Sequence, residues 1–333
     1  MNVPICQGNR KRGAAALLAT LLQAGVPLLP DAGLAALADT TPGNARCTEP
    51  ANVTQIGPGA FVRQGAIALP TPENVGATAN TGFVIGRDSV AVIDSGGSLC
   101  DGLRLRSAAR AHTALPIAFL INTHGHPDHI FGNAAFEADG ATIIAHRNLP
   151  AALGERGGHY LQSYERQIGA GNMKGTKLVA PDKLVADRLV IDLGGRELVI
   201  EAHSAAHTNN DLTVFDRQSH TLWTGDLVFM HHVPVLDGSI SGWLAVTAKL
   251  MQHEARQIVP GHGPAPAKWP EAGKAQRRYL ERLAADIRGA ISRGTSIGQS
   301  ADRAAQGEQK KWRLFDSYNR RNALAGYAEL EWE

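Results

Sequence analysis

The amino-acid sequence predicts an α/β fold in which two β-sheets are sandwiched between layers of helices. Past residue 55, short β-branched stretches alternate with helical ones, and they fall into two successive series, each with a helix pattern before its last strand. Beyond about Trp269 apolar residues recur at three and four positions, as at Leu280, Leu283, Ile287 and Ile291, which predicts a helical C-terminal extension. With 44% hydrophobic and 19% charged residues among 333, the chain can bury a sizeable core and has none of the marks of disorder. Its 33 basic and 31 acidic residues leave a formal charge of +2, which argues against nucleic acid or an anionic membrane as partner.

In the first series, "AFVRQGAIAL", "NTGFVIG" and "SVAVIDSGG" read as strands separated by Gly, Asn and Pro signals. "GLRLRSAARAHT" follows as a helix with Leu103, Arg106 and Arg110 on one face, then "IAFLIN", a continuous apolar run suited to a strand covered on both sides. The second series runs "TIIAH", "RLVIDLG", "ELVIEAH", "LTVFD" and "TLWTGD" as strands, "GWLAVTAKLMQHEA" as an amphipathic helix, and "QIVPGHG" as a strand ending at a glycine-flanked histidine. No short-period repeat and no low-complexity linker divides the chain.

The N-terminus has a different character. "NRKRG" at 9–13 precedes the apolar "AAALLATLLQAGVPLLP", and "LAALAD" ends it with an A-x-A pattern through Ala36 and Ala38. Residues 1–38 therefore read as a cleaved signal peptide, 39–55 as an N-terminal extension, and 56–333 as one domain that includes the C-terminal helices from about 269. The apolar run is short and broken by Pro27, so no stable membrane span is expected after cleavage, and the mature protein is expected in the periplasm. Export would leave Cys47 and Cys100 in an oxidising compartment, where either a disulfide or two free thiols is compatible with the sequence.

Chemistry concentrates in "INTHGHPDHIFGN". His124 and His126 are two apart, so in extended backbone they point the same way and can share one metal; Asp128 and His129 follow Pro127 and can reach a second. Each ion needs about four donors, and further candidates stand where apolar runs end: His207 in "SAAHTNNDL", Asp226 in "LWTGDL" and His262 in "VPGHGP".

The H-x-H-x-D-H motif with a later His, an Asp and a last His resembles the metallo-β-lactamase superfamily over about residues 56–265, and "VIDSGG" with Asp94 resembles its first motif. The resemblance implies an αβ/βα four-layer sandwich. It further implies that His124, His126 and His207 hold one zinc, that Asp128, His129 and His262 hold another, and that Asp226 bridges them. A water between two zinc ions per chain would lose its proton near neutral pH and attack an ester, thioester, lactone or amide carbonyl of a small-molecule substrate, with Asp128 orienting it and accepting a proton. "TPENVGATANTGFVIG", "NTHGHPDHIFGNAAF", "VPVLDGSISGWL" and "GYAELEWE" are similar to the exported quinoprotein relay system zinc metallohydrolases, which implies a quinoprotein pathway partner. Other readings stay open: a β-lactamase, although some antibiotic-hydrolysing branches carry Cys where this chain has Asp226; an iron-dependent sulfur oxygenase, since all donors are nitrogen or oxygen; and a metal-dependent redox-cofactor carrier.

Specificity is expected from loops. Residues 147–175, with His159, Tyr160 and Tyr164, form a candidate lid, and "FMHHVPVLDGSISGW" places His231 and His232 near Asp226. His112, His146, His203, His220 and His253 lack ligand-like company and read as structural or surface groups. "QRRYLERL" reads as a solvated helix face, and Trp243, Val246 and Leu250 as a core stripe.

Overall fold

In the computed structural model, which describes residues 47–333, the strands pair into two sheets. The expected signal peptide at 1–38 lies outside the described residues. The first sheet has the order β1 (Thr54–Gly57), β2 (Ala60–Arg63), β3 (Thr81–Ile85), β4 (Val90–Ile93), β5 (Ile117–Ile121), β6 (Thr142–His146) and β7 (Lys183–Val185). It is antiparallel as far as β4 and parallel from β4 to β7. The second has the order β13 (Ala267–Lys268), β12 (Gln257–His262), β11 (Thr221–Phe229), β10 (Leu212–Asp216), β9 (Glu197–Ala202) and β8 (Arg188–Asp192), with β11 and β12 parallel.

Period-two side-chain alternation divides each strand between two cores. Ala91 and Ile93 of β4 meet Leu198, Ile200, Val214 and Trp223 between the sheets, whereas Val90 and Val92 turn outward. Outside the first sheet lies α1 (Leu99–His112), which buries Leu105, Ala108 and Ala109. Outside the second lie α5 (Ile240–Leu250) and α6 (Lys274–Ser292), whose Trp243, Val246, Leu250, Leu280 and Ile287 cover Val199, Leu222 and Ile258. Two sheets face to face with helices on either side make the expected four-layer sandwich. The C-terminal part is helical as expected, adding α7 (Ile297–Arg303) and α8 (Phe315–Leu330) to the same outer layer.

Several elements depart from the sequence expectation. The stretch "AFVRQGAIAL" is strand only to Arg63, whose guanidinium forms a buried ion pair with Asp101 at 2.7 Å. Two residues on, Gly65 passes so close to the backbone of Thr78 that a Cβ would come within 2.1 Å of its carbonyl oxygen, and the sheet pairing stops. Helix α1 starts at Leu99 rather than Gly102, because Ser98 caps it by accepting from the Asp101 backbone N–H. Its Arg106 and Arg110 do not join the buried face; both donate to the buried carboxylate of Asp139, at the end of the 3-10 turn Asn133–Asp139. The first strand begins at Thr54, and Ala51 before it already packs in the outer core. A disulfide joins Cys47 to Cys100, tying the start of the described chain to α1.

Candidate metal centre

Loops and strand ends along one rim of the sandwich supply the candidate ligands. His124 and His126 follow β5, and Asp128 and His129 lie on the single turn α2 (Pro127–Ile130), where Pro127 takes the first helical position and needs no N–H partner. His207 stands between β9 and β10, and His262 ends β12. Asp226 sits within β11 where the register with β12 shifts between Gly225 and Phe229, and such an irregularity re-aims a side chain. Gly261 of β12 makes room for it, since a Cβ there would lie 1.9 Å from Asp226 Oδ1.

All seven expected residues come together. Ligand atoms of His124, His126, His207 and Asp226 lie within 4.8 Å of one another, as do those of Asp128, His129 and His262. Asp226 connects the groups. Its Oδ2 is 3.7 Å from His124 Nε2, 3.4 Å from His207 Nε2 and 3.4 Å from His262 Nε2, and its Oδ1 is 3.1 Å from His129 Nε2.

The far side of each imidazole is held. His129 Nδ1 is 2.8 Å from Asp94 Oδ2, and Asp94 also accepts from the Thr123 backbone N–H and hydroxyl, so this aspartate fixes the loop. His262 Nδ1 reaches the Thr78 carbonyl at 3.0 Å, and His207 Nδ1 the Val235 carbonyl at 2.6 Å. His126 is turned the other way: its Nε2 meets Asp237 Oδ2 at 3.1 Å, leaving Nδ1 toward the cluster, 2.9 Å from His207 Nε2. Such outer partners select the tautomer that keeps a lone pair for a metal. Thr78 donates its hydroxyl to Asp128 Oδ2 at 2.8 Å.

The residues fit a divalent metal. Nε2 of His124, Nε2 of His129 and Oδ1 of Asp226 are buried without a hydrogen-bond partner, and they converge on the same space. Unpartnered buried polar atoms are costly, and a cation that accepts their lone pairs removes that cost. Burial drives His124 well below the ordinary imidazole value and His207 down to about 3, so both are neutral donors. Burial also opposes charge on His129 and His262, but Asp226 overcomes it and holds both above the ordinary value. Metal uptake by those two releases protons.

A cavity of about 650 Å³ opens over the cluster, exposing Asp128, Asp226 and His262 on its floor. One wall comes from the candidate lid segment, which folds as α3 (Leu149–Ile168) and the turn α4 (Ala170–Met173); His159, Tyr160 and Tyr164 of α3 line the cavity. Tyr164 also packs edge-on against Phe131 at 5.2 Å, so it anchors the lid as well as lining it. Of the paired histidines, buried His232 lines the cavity, its pKa pushed by burial to about 4, while His231 is exposed. The histidines expected as structural or surface groups lie away from the ligands: exposed His112 packs on Phe61, His146 Nδ1 accepts from the Asn148 N–H, buried His203 bonds Thr213, and His220 and His253 pack on Phe215. Thr78, Asp237, Tyr318 and Arg321 belong to the site and were not read from the sequence. Asp237 directly follows "VPVL" within the quoted "FMHHVPVLDGSISGW", and nothing in that stretch singles it out.

A model of the metallo-beta-lactamase superfamily matches residues 75–273. Solved structures are similar in fold: a metallo-beta-lactamase from Pontibacter korlensis is 18% identical with a TM-score of 0.56, over 69% of this chain and 98% of that one. One from Hirschia baltica is also 18% identical, with a TM-score of 0.54, over 70% and 98%. A stereoselective inverting sec-alkylsulfatase from Pseudomonas sp. is 18% identical with a TM-score of 0.66, over 83% of this chain and half of that one. None of the curated proteins searched matches the chain.

Proposed function

The chain belongs to the metallo-β-lactamase superfamily, and from that premise we propose that it is an exported dinuclear zinc hydrolase attacking an ester, thioester, lactone or amide carbonyl of a small molecule. One observation carries the reading: seven side chains form two adjoining groups, Asp226 of the first reaching His129 and His262 of the second, with unpartnered Nε2 and Oδ1 atoms buried between them. The all-nitrogen-and-oxygen donor set suits zinc. When bound, the two ions would supply a nucleophile from water near neutral pH and polarise the scissile carbonyl.

The chain's own residues do the rest. His124, His126 and His207 would hold one ion and Asp128, His129 and His262 the other, with Asp226 lying between the two groups. Asp128, steadied by the Thr78 hydroxyl, faces the cavity and is the group to orient the attacking water and take its proton. Tyr160 and Tyr164 of α3 shape the space above, where a substrate body would displace water. The Cys47–Cys100 disulfide supports export to an oxidising compartment, the periplasm, after removal of residues 1–38. The four stretches similar to quinoprotein relay metallohydrolases support a quinoprotein pathway partner.

The test is a panel of chromogenic esters, thioesters, lactones and β-lactams assayed with the zinc-loaded protein and with Asp226→Ala. Turnover of one acyl class that disappears in the variant is the expected result. Preference for β-lactams over every other class would replace this reading with the β-lactamase suggested by the similar structures, and absence of turnover throughout the panel would contradict it.

A further inference from the structure

The segment that presents Val235 and Asp237 to two of the candidate ligands is itself gripped by α8, which lies beyond residues 75–273 matched by the family. Asn322 of α8 accepts from the Leu236 backbone N–H at 2.9 Å and donates to the Pro234 carbonyl at 2.6 Å, bracketing Val235, whose own carbonyl meets His207 Nδ1. Arg313, just before the helix, pairs through its backbone with His231 and Val233. Near the other end of α8, Glu329 accepts from the Ser239 hydroxyl and from the backbone N–H groups of Ile240 and Ser241.

Between these anchors, Arg321 donates to Asp237 Oδ1 at 3.0 Å, while Arg156 of the lid helix α3 donates to Oδ2, the oxygen that also meets His126. A carboxylate bonded on both oxygens cannot swing about its terminal torsion without breaking a charge-assisted bond. The plane that selects the His126 tautomer is therefore set by one arginine from the C-terminal helix and one from the lid. Tyr318, one turn before Arg321, lines the cavity and lies 5.4 Å from the ring of His232.

Resting on the reading of these residues as a zinc centre, we infer that α8 is a working part of that centre: Arg321, together with Arg156, is a positioning residue that fixes Asp237 and thereby His126, and Asn322 does the same for His207 through Val235. The C-terminal helical extension would then do more than cover the second sheet. It couples the lid and the metal ligands through one shared carboxylate.

The test measures zinc affinity of the full chain by competition with a chromophoric chelator, together with the visible spectrum of the cobalt-substituted protein, which reports ligand geometry without reference to turnover. Wild-type protein is measured first, because absence of binding would overturn the metal reading itself. Arg321→Ala is expected to weaken zinc about tenfold and to alter the cobalt spectrum. The metal-free thermal midpoint should barely move, since the Arg321 side chain is 56% exposed. Arg321→Lys should restore most of the affinity, and Arg156→Ala with Arg321→Ala should weaken binding further than either alone. Unchanged affinity and spectrum in the double variant would overturn the inference. A chain whose zinc affinity depends on Arg321 but which hydrolyses nothing would overturn the proposed function and leave this inference standing.

Discussion

Asp94 Oδ2 accepts from His129 Nδ1 at 2.8 Å, and the same carboxylate takes the Thr123 backbone N–H and hydroxyl, so one buried side chain ties the end of β4 to both ends of the metal-binding loop. All of these contacts need an acceptor. Asp94→Asn places an N–H against a donor, and it is expected to weaken zinc ten- to a hundredfold and to lower the thermal midpoint, as measured by chelator competition and thermal unfolding. Unchanged affinity would show that Asp94 does not hold His129.

Removal of a cavity-floor ligand should separate chemistry from folding. Asp128→Ala and His262→Ala are expected to abolish turnover while the far-ultraviolet circular dichroism stays that of the wild type. Thr78→Val, which removes only the hydroxyl bonded to Asp128, should reduce kcat by about tenfold. Wild-type turnover in Asp128→Ala would remove that residue from the mechanism.

The Cys47–Cys100 disulfide spans a sequence separation of 53 residues. In the chain-entropy description a loop of that size stabilises the folded state by about 4 kcal/mol. Cys47→Ser should therefore lower the thermal midpoint markedly while zinc affinity stays near wild type, because neither cysteine is a candidate ligand or lines the cavity. Intact mass after alkylation without reduction checks the bond itself: two alkylated thiols in the native protein would show it absent.

His203 gives the fold an acid limit that does not depend on the metal. Burial, reinforced by Lys249, depresses its pKa to about 4, against about 6.5 in an unfolded chain. The unfolded state binds the extra proton in that window, so the stability from this residue is complete above pH 6.5 and is lost as pH falls through about 4. The largest loss is on the order of 3 kcal/mol. In metal-free protein, urea midpoints of wild type and His203→Gln should converge as pH drops from 7 to 4; parallel curves would contradict this.

Six of the seven candidate ligands were legible because they end or follow an apolar strand, whose end presents the next polar residues to a rim; Asp226 was expected at such an end too but sits within β11, which runs on to Phe229. The two-sheet architecture was legible for a related reason: β4 and β5 are apolar on both faces, as a sheet covered on both sides allows. What stayed hidden depends on distant packing. Asp237 is an ordinary loop aspartate until Arg156 and Arg321, respectively 81 and 84 positions away, converge on it. Thr78 acts through both a carbonyl and a hydroxyl, and a backbone carbonyl leaves no trace in the residue type. The short edge strands β7 and β13 exist because a neighbour offers unpaired backbone groups rather than because of their own composition.

The central claim is tested most directly by the metal content of the mature protein, purified from the periplasm without added metal and measured by elemental mass spectrometry alongside Asp226→Ala. About two zinc per chain in the wild type, reduced in the variant, is the predicted result. Predominantly iron at about one per chain would contradict it and move the chemistry toward oxygen and sulfur substrates.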